Sequence, residues 1–175
     1  DPNQTDRVIR YIVDKPGNWF VGMGRSKIPV ILKENGEIFF DENYNFEYGK
    51  ADIIRKGKDG YILTYGCMVY RAIKVHEKLK EEGIDIGIMN FSCPVVIDEE
   101  KIKTALDTGL LITYEDHHID TGIGATIALY LSEKSIKVKF LRFGIKNYGL
   151  SGNPDELFKE EGLSPENLIE KIKSL

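Results

Sequence analysis

The residues best suited to chemistry stand together directly after a short apolar run. Residues 110–114 (Leu-Leu-Ile-Thr-Tyr) predict a strand buried on both faces, and Glu115, Asp116, His117 and His118 follow it at once. Carboxylates and imidazoles are the side chains that transfer protons near neutral pH and bind metal ions. Because consecutive residues at a strand end point in alternating directions, at most two of these four can face one point.

A metal centre needs three or four ligands, and no further His or Cys lies nearby in the sequence to complete one. His76 falls in the middle of a predicted helix, where we expect it on the surface. We therefore predict neither a metal site nor a catalytic residue in this chain. Glu115 and His117 are instead expected to form hydrogen bonds that fix the loop or to meet a neighbouring domain.

A glycine pair, Gly122 and Gly124, opens the next apolar segment, which is long enough for a helix ending near Leu131. Free N–H groups and the helix dipole at such a start could bind a phosphate. A dinucleotide fold would also need a third glycine and an acidic residue about 20 positions later, and both are missing. The pair therefore favours close packing of the helix on the sheet.

Two cysteines, Cys67 and Cys93, have neither metal-ligand spacing nor an evident basic neighbour that would make a nucleophile. We interpret both as reduced thiols of a cytoplasmic protein. With 175 residues and a net charge of −4, the chain is typical of a soluble domain and gives no reason to expect nucleic acid or membrane as a partner. It also lacks an initiator Met, so we expect it to begin inside a longer chain.

The first sixty residues predict little regular structure. A helix is predicted over residues 6–13, with Thr5 as its N-cap, and a strand over residues 19–23. Residues 26–60 predict an extended connector that lies against a domain surface, with a short hairpin around Asn35 and Gly36.

From residue 61 onward, strand and helix patterns alternate. The predicted strands are 61–65, 84–91, 110–114 and 137–143, and the predicted helices are 68–82, 99–106, 122–131, 154–160 and a last one from Pro165. This order predicts an α/β fold, a three-layer α/β/α arrangement with a mainly parallel sheet. Right-handed crossovers then bring the carboxyl ends of the strands to one edge.

Three motifs, in this order and spacing, resemble the carboxyl-terminal section of transketolase over nearly the whole chain. Arg55–Gly66 resembles the entry into that family's last domain. Gly109–His117, with Gly122 and Gly124, resembles its threonine-x-glutamate-acid-histidine strand end and glycine pair. Tyr148–Gly152 before Pro154 resembles its late serine-glycine turn and helix. Deoxyxylulose-phosphate synthases and the β subunits of 2-oxoacid dehydrogenases share this pattern.

The resemblance implies a division of the chain into three parts. Residues 1–25 would be the last helix and strand of an incomplete pyrimidine-binding domain, 26–60 a linker, and 61–175 the transketolase C-terminal domain with a five-stranded mixed sheet. Arg25 is similar to an arginine with which transketolases contact the sugar phosphate, a role expected only in the full assembly. One departure concerns Val95 and Val96, which stand where the family often has a lysine-proline pair.

The resemblance also implies a function for the complete enzyme: transfer of two-carbon ketol units between sugar phosphates in the pentose phosphate pathway, with thiamine diphosphate and Mg²⁺ or Ca²⁺. The family holds this cofactor through a Gly-Asp-Gly motif that the chain lacks. We therefore expect the chain alone to bind no cofactor, to be inactive and to act in assembly with the remainder of transketolase. The alternative is a non-catalytic interaction domain of a related thiamine enzyme.

The amino-terminal piece raises a packing problem, because a single strand over residues 19–23 leaves its backbone groups unpaired and its apolar side chains exposed. Three arrangements would resolve this packing problem: the segment docks on the carboxyl-terminal domain, it is mobile, or it pairs with a second copy of the chain. The resemblance favours the third, a homo-dimer.

Overall fold

Five strands and six helices make up the part of the chain that the computed structural model describes, residues 1–149 and 151–175. Leu150, inside the Tyr148–Gly152 motif, lies outside the described residues. The strands are β1 (Asp52–Arg55), β2 (Gly60–Thr64), β3 (Ile86–Asn90), β4 (Leu110–His118) and β5 (Lys139–Ile145). The helices are α1 (Pro2–Val13), α2 (Met68–Glu81), α3 (Glu99–Leu106), α4 (Ile123–Glu133), α5 (Pro154–Glu160) and α6 (Pro165–Lys173).

The strands form one mixed sheet in the order β1-β3-β2-β4-β5. Four of them run parallel, and β1 pairs antiparallel with β3 at one edge. The predicted α/β class and five-stranded mixed sheet are therefore confirmed. The fifth strand, β1, lies within residues 26–60, which the sequence predicted to be a connector throughout.

Helices cover both faces of the sheet, so that two apolar cores form. The first core lies under α2 and α6 and includes Val69, Ala72, Val75, Leu79, Leu168 and Ile172. The second lies under α3 and α4 and includes Ile102, Ala105, Ile123, Ile127 and Leu131. Each helix contributes residues three or four positions apart, which is the spacing that places apolar side chains on one face. None of the described helices is both long and apolar enough to cross a bilayer.

Helix α1 begins four residues before its predicted start. Asp1 is the N-cap, and its carboxylate accepts a hydrogen bond of 2.8 Å from the Gln4 backbone N–H. Pro2 occupies the first turn, where a missing N–H costs nothing because that group has no partner within the helix. Thr5, the predicted N-cap, lies inside the helix.

The predicted strand over residues 19–23 is wrong, since this segment has no regular structure. A strand requires a neighbour, and no other strand of the described chain reaches this segment. Phe20 and Met23 are 96% and 66% exposed, whereas Trp19 packs edge-on against Tyr11 and Tyr48.

The connector lies against the domain, as predicted. Its buried residues Ile31, Phe40 and Phe46 complete the apolar packing, and a single bridge between Leu32 and Ile38 closes a turn around residues 35–36.

His76 is buried, not on the surface as the sequence predicted. Its Nδ1–H donates to the carbonyl oxygen of Ile86 at 2.7 Å, at the start of β3. This hydrogen bond offsets the cost of burying the imidazole.

Candidate functional site

The candidate site lies where the chain leaves the carboxyl ends of β2 and β4. These two strands are parallel neighbours, with Thr64 beside Tyr114. Helix α2, which follows β2, packs on one face of the sheet, and α4, which follows β4, packs on the other. Such a switch point opens a crevice between the two loops, and it is where open α/β sheets bind ligands.

Glu115, the first of the four polar residues, is fully buried. Its carboxylate accepts hydrogen bonds from the backbone N–H groups of Ile123 at 2.7 Å and Gly124 at 2.9 Å, and a longer one from the Tyr65 hydroxyl at 3.3 Å. Burial raises the pKa of Glu115, and these hydrogen bonds oppose the rise. The carboxylate therefore occupies the anion-binding start of α4 and joins β4 to that helix.

The glycine pair makes this contact possible. A Cβ at Gly122 would lie 1.8 Å from Glu115 Oε2, and one at Gly124 would lie 2.8 Å from Thr113 Oγ1. Only hydrogen atoms fit in these positions, so the pair serves the close approach of helix and strand. Because Glu115 fills the helix start, no room is left there for a phosphate.

The other three residues of the group are exposed and do not converge. Asp116 accepts a hydrogen bond from the Cys67 thiol at 3.5 Å, His117 shares one with the Thr121 hydroxyl, and His118 accepts one from the Asp120 N–H. Within residues 1–149 and 151–175, no three His, Cys, Asp or Glu residues are grouped to hold a metal ion.

Cys67 begins α2, and burial together with the nearby Asp116 carboxylate raises its pKa to about 11. The thiol therefore stays protonated at neutral pH, whereas a nucleophile needs the thiolate.

Arg25 lies on the wall of a cavity of about 520 Å³ in front of this crevice. The cavity is also lined by Cys67, Asp116 and a residue that the sequence did not reveal, Arg71 of α2. An arginine in an amphipathic helix is ordinarily a surface residue, and no sequence signal sets this one apart. Its side chain is only 5% exposed.

A second polar cluster that the sequence did not reveal lies at the other edge of the sheet. Asp52 accepts hydrogen bonds from Gln4 Nε2 at 3.0 Å, Asn90 Nδ2 at 3.1 Å and the Tyr44 hydroxyl at 3.2 Å. Burial raises the pKa of Asp52 to about 6, although these donors favour the charged form. The cluster joins α1, the connector, β1 and β3, and its four residues are too far apart in sequence to form a motif.

Comparison with known proteins gives the family. The family model described as transketolase, C-terminal domain, matches residues 49–168. The chain belongs to this family. A protein from Methanocaldococcus jannaschii described as a transketolase C-terminal section is 35% identical over 173 residues, which are 98% of this chain and 52% of that protein.

A second group of enzymes, the 1-deoxy-D-xylulose-5-phosphate synthases, is also similar to this transketolase C-terminal domain. A 1-deoxy-D-xylulose-5-phosphate synthase from Clostridium tetani is 35% identical over 134 residues, 75% of this chain and 22% of that protein. Among solved structures, a split-gene transketolase in the form of an inactive β4 tetramer matches 99% of this chain and 55% of its own, with a TM-score of 0.86 at 23% identity. That likeness supports the fold. The chain spans about half the length of the first curated relatives.

The family implies thiamine diphosphate in complete enzymes, and the residues of this chain do not fit that group. The helix start best placed to bind a diphosphate is filled by the Glu115 carboxylate, and Gly122 and Gly124 leave no space beside it. The sequence also has no Gly-Asp-Gly motif.

Proposed function

We propose that this chain is the carboxyl-terminal part of a thiamine diphosphate-dependent transketolase that transfers two-carbon ketol units between sugar phosphates in the pentose phosphate pathway of the cytoplasm. The family match over residues 49–168, with a relative that extends to about twice this chain's length, is the observation that carries the proposal. The chain itself supplies assembly surfaces, and a partner segment or subunit supplies the cofactor site.

The exposed apolar segment around Phe20 and Met23 supports a role in assembly. Soluble monomers rarely leave such side chains in water, and here they follow directly after α1. The remainder of transketolase is the proposed partner at this surface, and the proposed complete enzyme is a homo-dimer.

Reconstitution tests this function. The chain is expressed with the transketolase section that carries the Gly-Asp-Gly motif, and ketol transfer from a ketose phosphate to an aldose phosphate is measured with thiamine diphosphate and Mg²⁺. We expect transfer with both parts and none with either alone. Decarboxylation of a 2-oxoacid without ketol transfer would overturn the proposal in favour of a synthase or dehydrogenase of the same superfamily.

Arg25 is proposed to contact the substrate phosphate in the completed enzyme, because it is exposed beside small neighbours, Gly24 and Ser26. Arg25→Ala is expected to raise KM for phosphorylated sugars about tenfold or more, since a charge-assisted hydrogen bond contributes about 1.5–3 kcal/mol. Unphosphorylated sugars serve as the control. Equal losses on both substrates would remove Arg25 from the phosphate site.

A further inference from the structure

We propose that the cavity beside Arg71 binds a small molecule through one oxyanion group, a phosphate or a carboxylate, in the position that Asp155 takes in this structure. The cavity lies between the C-terminal domain and the segment that contains Arg25, and phosphate binding to Arg71 can be measured without ketol transfer.

Arg71 is held as a ready oxyanion receptor. Its guanidinium carbon lies 4.6 Å from the ring centre of Tyr70 and 4.1 Å from that of Phe158. Both rings attract the cation and fix the guanidinium plane. A fixed, planar fork of N–H donors matches the two oxygens of a carboxylate or phosphate.

Arg71 and its counterion, Asp155, differ strongly in solvent exposure. Asp155 Oδ1 accepts from Arg71 Nη2 at 2.5 Å, yet the Asp155 side chain is 86% exposed while that of Arg71 is 5% exposed. Exposed carboxylates contribute little to an ion pair because water competes for them. A ligand oxyanion that arrives from the cavity can therefore replace Asp155 at small cost.

Helix α5, which carries Asp155, is lightly attached. It contains no buried residue, and its contact side consists of the half-buried Leu157 and Phe158. Movement of this helix away from Arg71 would expose only the half-buried Leu157 and Phe158. It would also remove the Phe158 ring from the guanidinium, so that Tyr70 alone would then stack on Arg71. Few buried apolar contacts are typical of segments that open locally.

The cavity has the size and place of a ligand site. Its volume of about 520 Å³ falls within the usual range for small-molecule pockets. It lies at the switch point between β2 and β4, where Cys67 precedes α2 and Asp116 lies near the end of β4.

The charges around the cavity limit the ligand. Arg25 and Lys27, from the segment after α1, line the cavity together with Arg71, and Asp116 and Glu161 line it as acids. Acids near the rim disfavour a highly charged anion, so the ligand class is a small molecule with one oxyanion group and an otherwise neutral body.

The site is tested by titrating the full chain with inorganic phosphate. Binding is monitored through the backbone amide NMR signals of residues 67–72 and 153–158. Asp155→Asn removes the competing charge from an exposed position and is expected to tighten phosphate binding on the order of fivefold. Asp6→Asn is the matched control, because it removes the carboxylate that pairs with the exposed Arg10. The control is expected to bind phosphate as the unchanged chain does.

Arg71→Lys provides the second variant, since it keeps the charge and loses the fork. It is expected to weaken phosphate binding about tenfold. The titration of Asp155→Asn is repeated with acetate in place of phosphate. The tighter of the two bindings shows whether the site prefers a carboxylate or a phosphate. Equal tightening by Asp155→Asn and Asp6→Asn, or unchanged binding in Arg71→Lys, would overturn the proposal and leave the reconstitution result untouched.

Discussion

Single residues decide how closely α4 approaches the sheet. Glu115 is an acid inside a protein core, and it is accommodated there because two backbone N–H groups and one hydroxyl meet it. The resulting contact depends on side chains that are absent, at Gly122 and Gly124, as much as on the one that is present.

Gly122→Ala is expected to lower the free energy of unfolding by about 1–3 kcal/mol, because the new methyl group overlaps the Glu115 carboxylate. The backbone at Gly122, with φ of −90°, is accessible to alanine, so the loss arises from the contact alone. Urea denaturation measures the change.

The same substitution is expected to cost less in a Glu115→Ala background, since the overlapping atoms are then gone. Gly22→Ala is the control, because its Cβ would make an ordinary 3.8 Å contact with Phe20. Equal costs of Gly122→Ala in both backgrounds would show that the overlap with Glu115 is not the cause.

Asp52 gives the stability of the chain a dependence on pH. Its pKa is about 6 when folded and about 3.9 in an unfolded chain. Between these values the folded state holds a proton that the unfolded state has released, so stability falls as the pH rises from about 4 to 6. Asp52→Asn is expected to remove this fall and to gain on the order of 1 kcal/mol relative to the unchanged chain between pH 4 and 7.

Urea denaturation at a series of pH values checks this expectation. Asp120→Asn, at an exposed aspartate, controls for the loss of one negative charge. Parallel pH curves for the unchanged chain and Asp52→Asn would contradict the assignment.

At the scale of elements, helix α1 is attached to the sheet through one inserted side chain. Gln4, buried among mostly half-buried or exposed helix residues, donates to Asp52 and accepts from Asn90 Nδ2 at 3.0 Å. Tyr11 adds an aromatic contact with Phe46. Arg7 adds a hydrogen bond of 3.1 Å to the Asp41 carbonyl oxygen of the connector.

Gln4→Ala is expected to release α1 selectively. Loss of the buried hydrogen bonds should reduce stability by about 1–3 kcal/mol and speed amide hydrogen exchange in residues 2–13, while exchange in α2 stays unchanged. Arg10→Ala on the exposed side of the helix is the control. Equal acceleration in both helices would mean that α1 unfolds only with the whole domain.

An element could be predicted from the sequence when the residues that stabilise it are its own or near neighbours in the sequence. The α2 helix carries its own apolar spacing, and its limits were predicted to within a residue. Strand β1 has four residues with charged ends, Asp52 and Arg55, and exists because β3 lies beside it. Burial of His76 depends on a carbonyl ten positions away, which no helical pattern reveals.

The candidate site also combines contacts between sequence neighbours with contacts between distant residues. The polar end of β4 and the glycine pair are close in sequence, so their proximity could be predicted. Arg71 and Asp155 are 84 positions apart, and Gln4 and Asn90 are 86 apart. Contacts of that kind follow from the completed fold and leave no local signal.

At the scale of the whole molecule, the exposed apolar segment is the feature that calls for a partner. Cutting the chain near Gly49 would not test it cleanly, because Ile31, Phe40 and Phe46 are buried and would be lost with it. Substitution within the full chain is the better design.

Phe20→Ser combined with Met23→Ser is expected to convert a self-associated chain into a monomer, because it removes the most exposed apolar side chains of this segment. Sedimentation velocity measures the mass. Leu129→Ser, at a 60% exposed leucine on α4, is the matched control and is expected to leave association unchanged. The prediction is contradicted if the chain without substitutions is already a monomer. It is also contradicted if the double variant still associates, because the partner surface would then lie elsewhere.

The separation of Gln4 and Asn90 along the sequence also determines when their contact can form during synthesis. A ribosome adds roughly 5–20 residues per second, so Asn90 leaves the ribosome about 4–17 s after Gln4, because 86 residues separate them. Until then helix α1 cannot make its contact with the edge of this sheet. The nascent chain thus passes through a stage in which its amino-terminal segment is open to chaperones, or to a neighbouring copy on the same message.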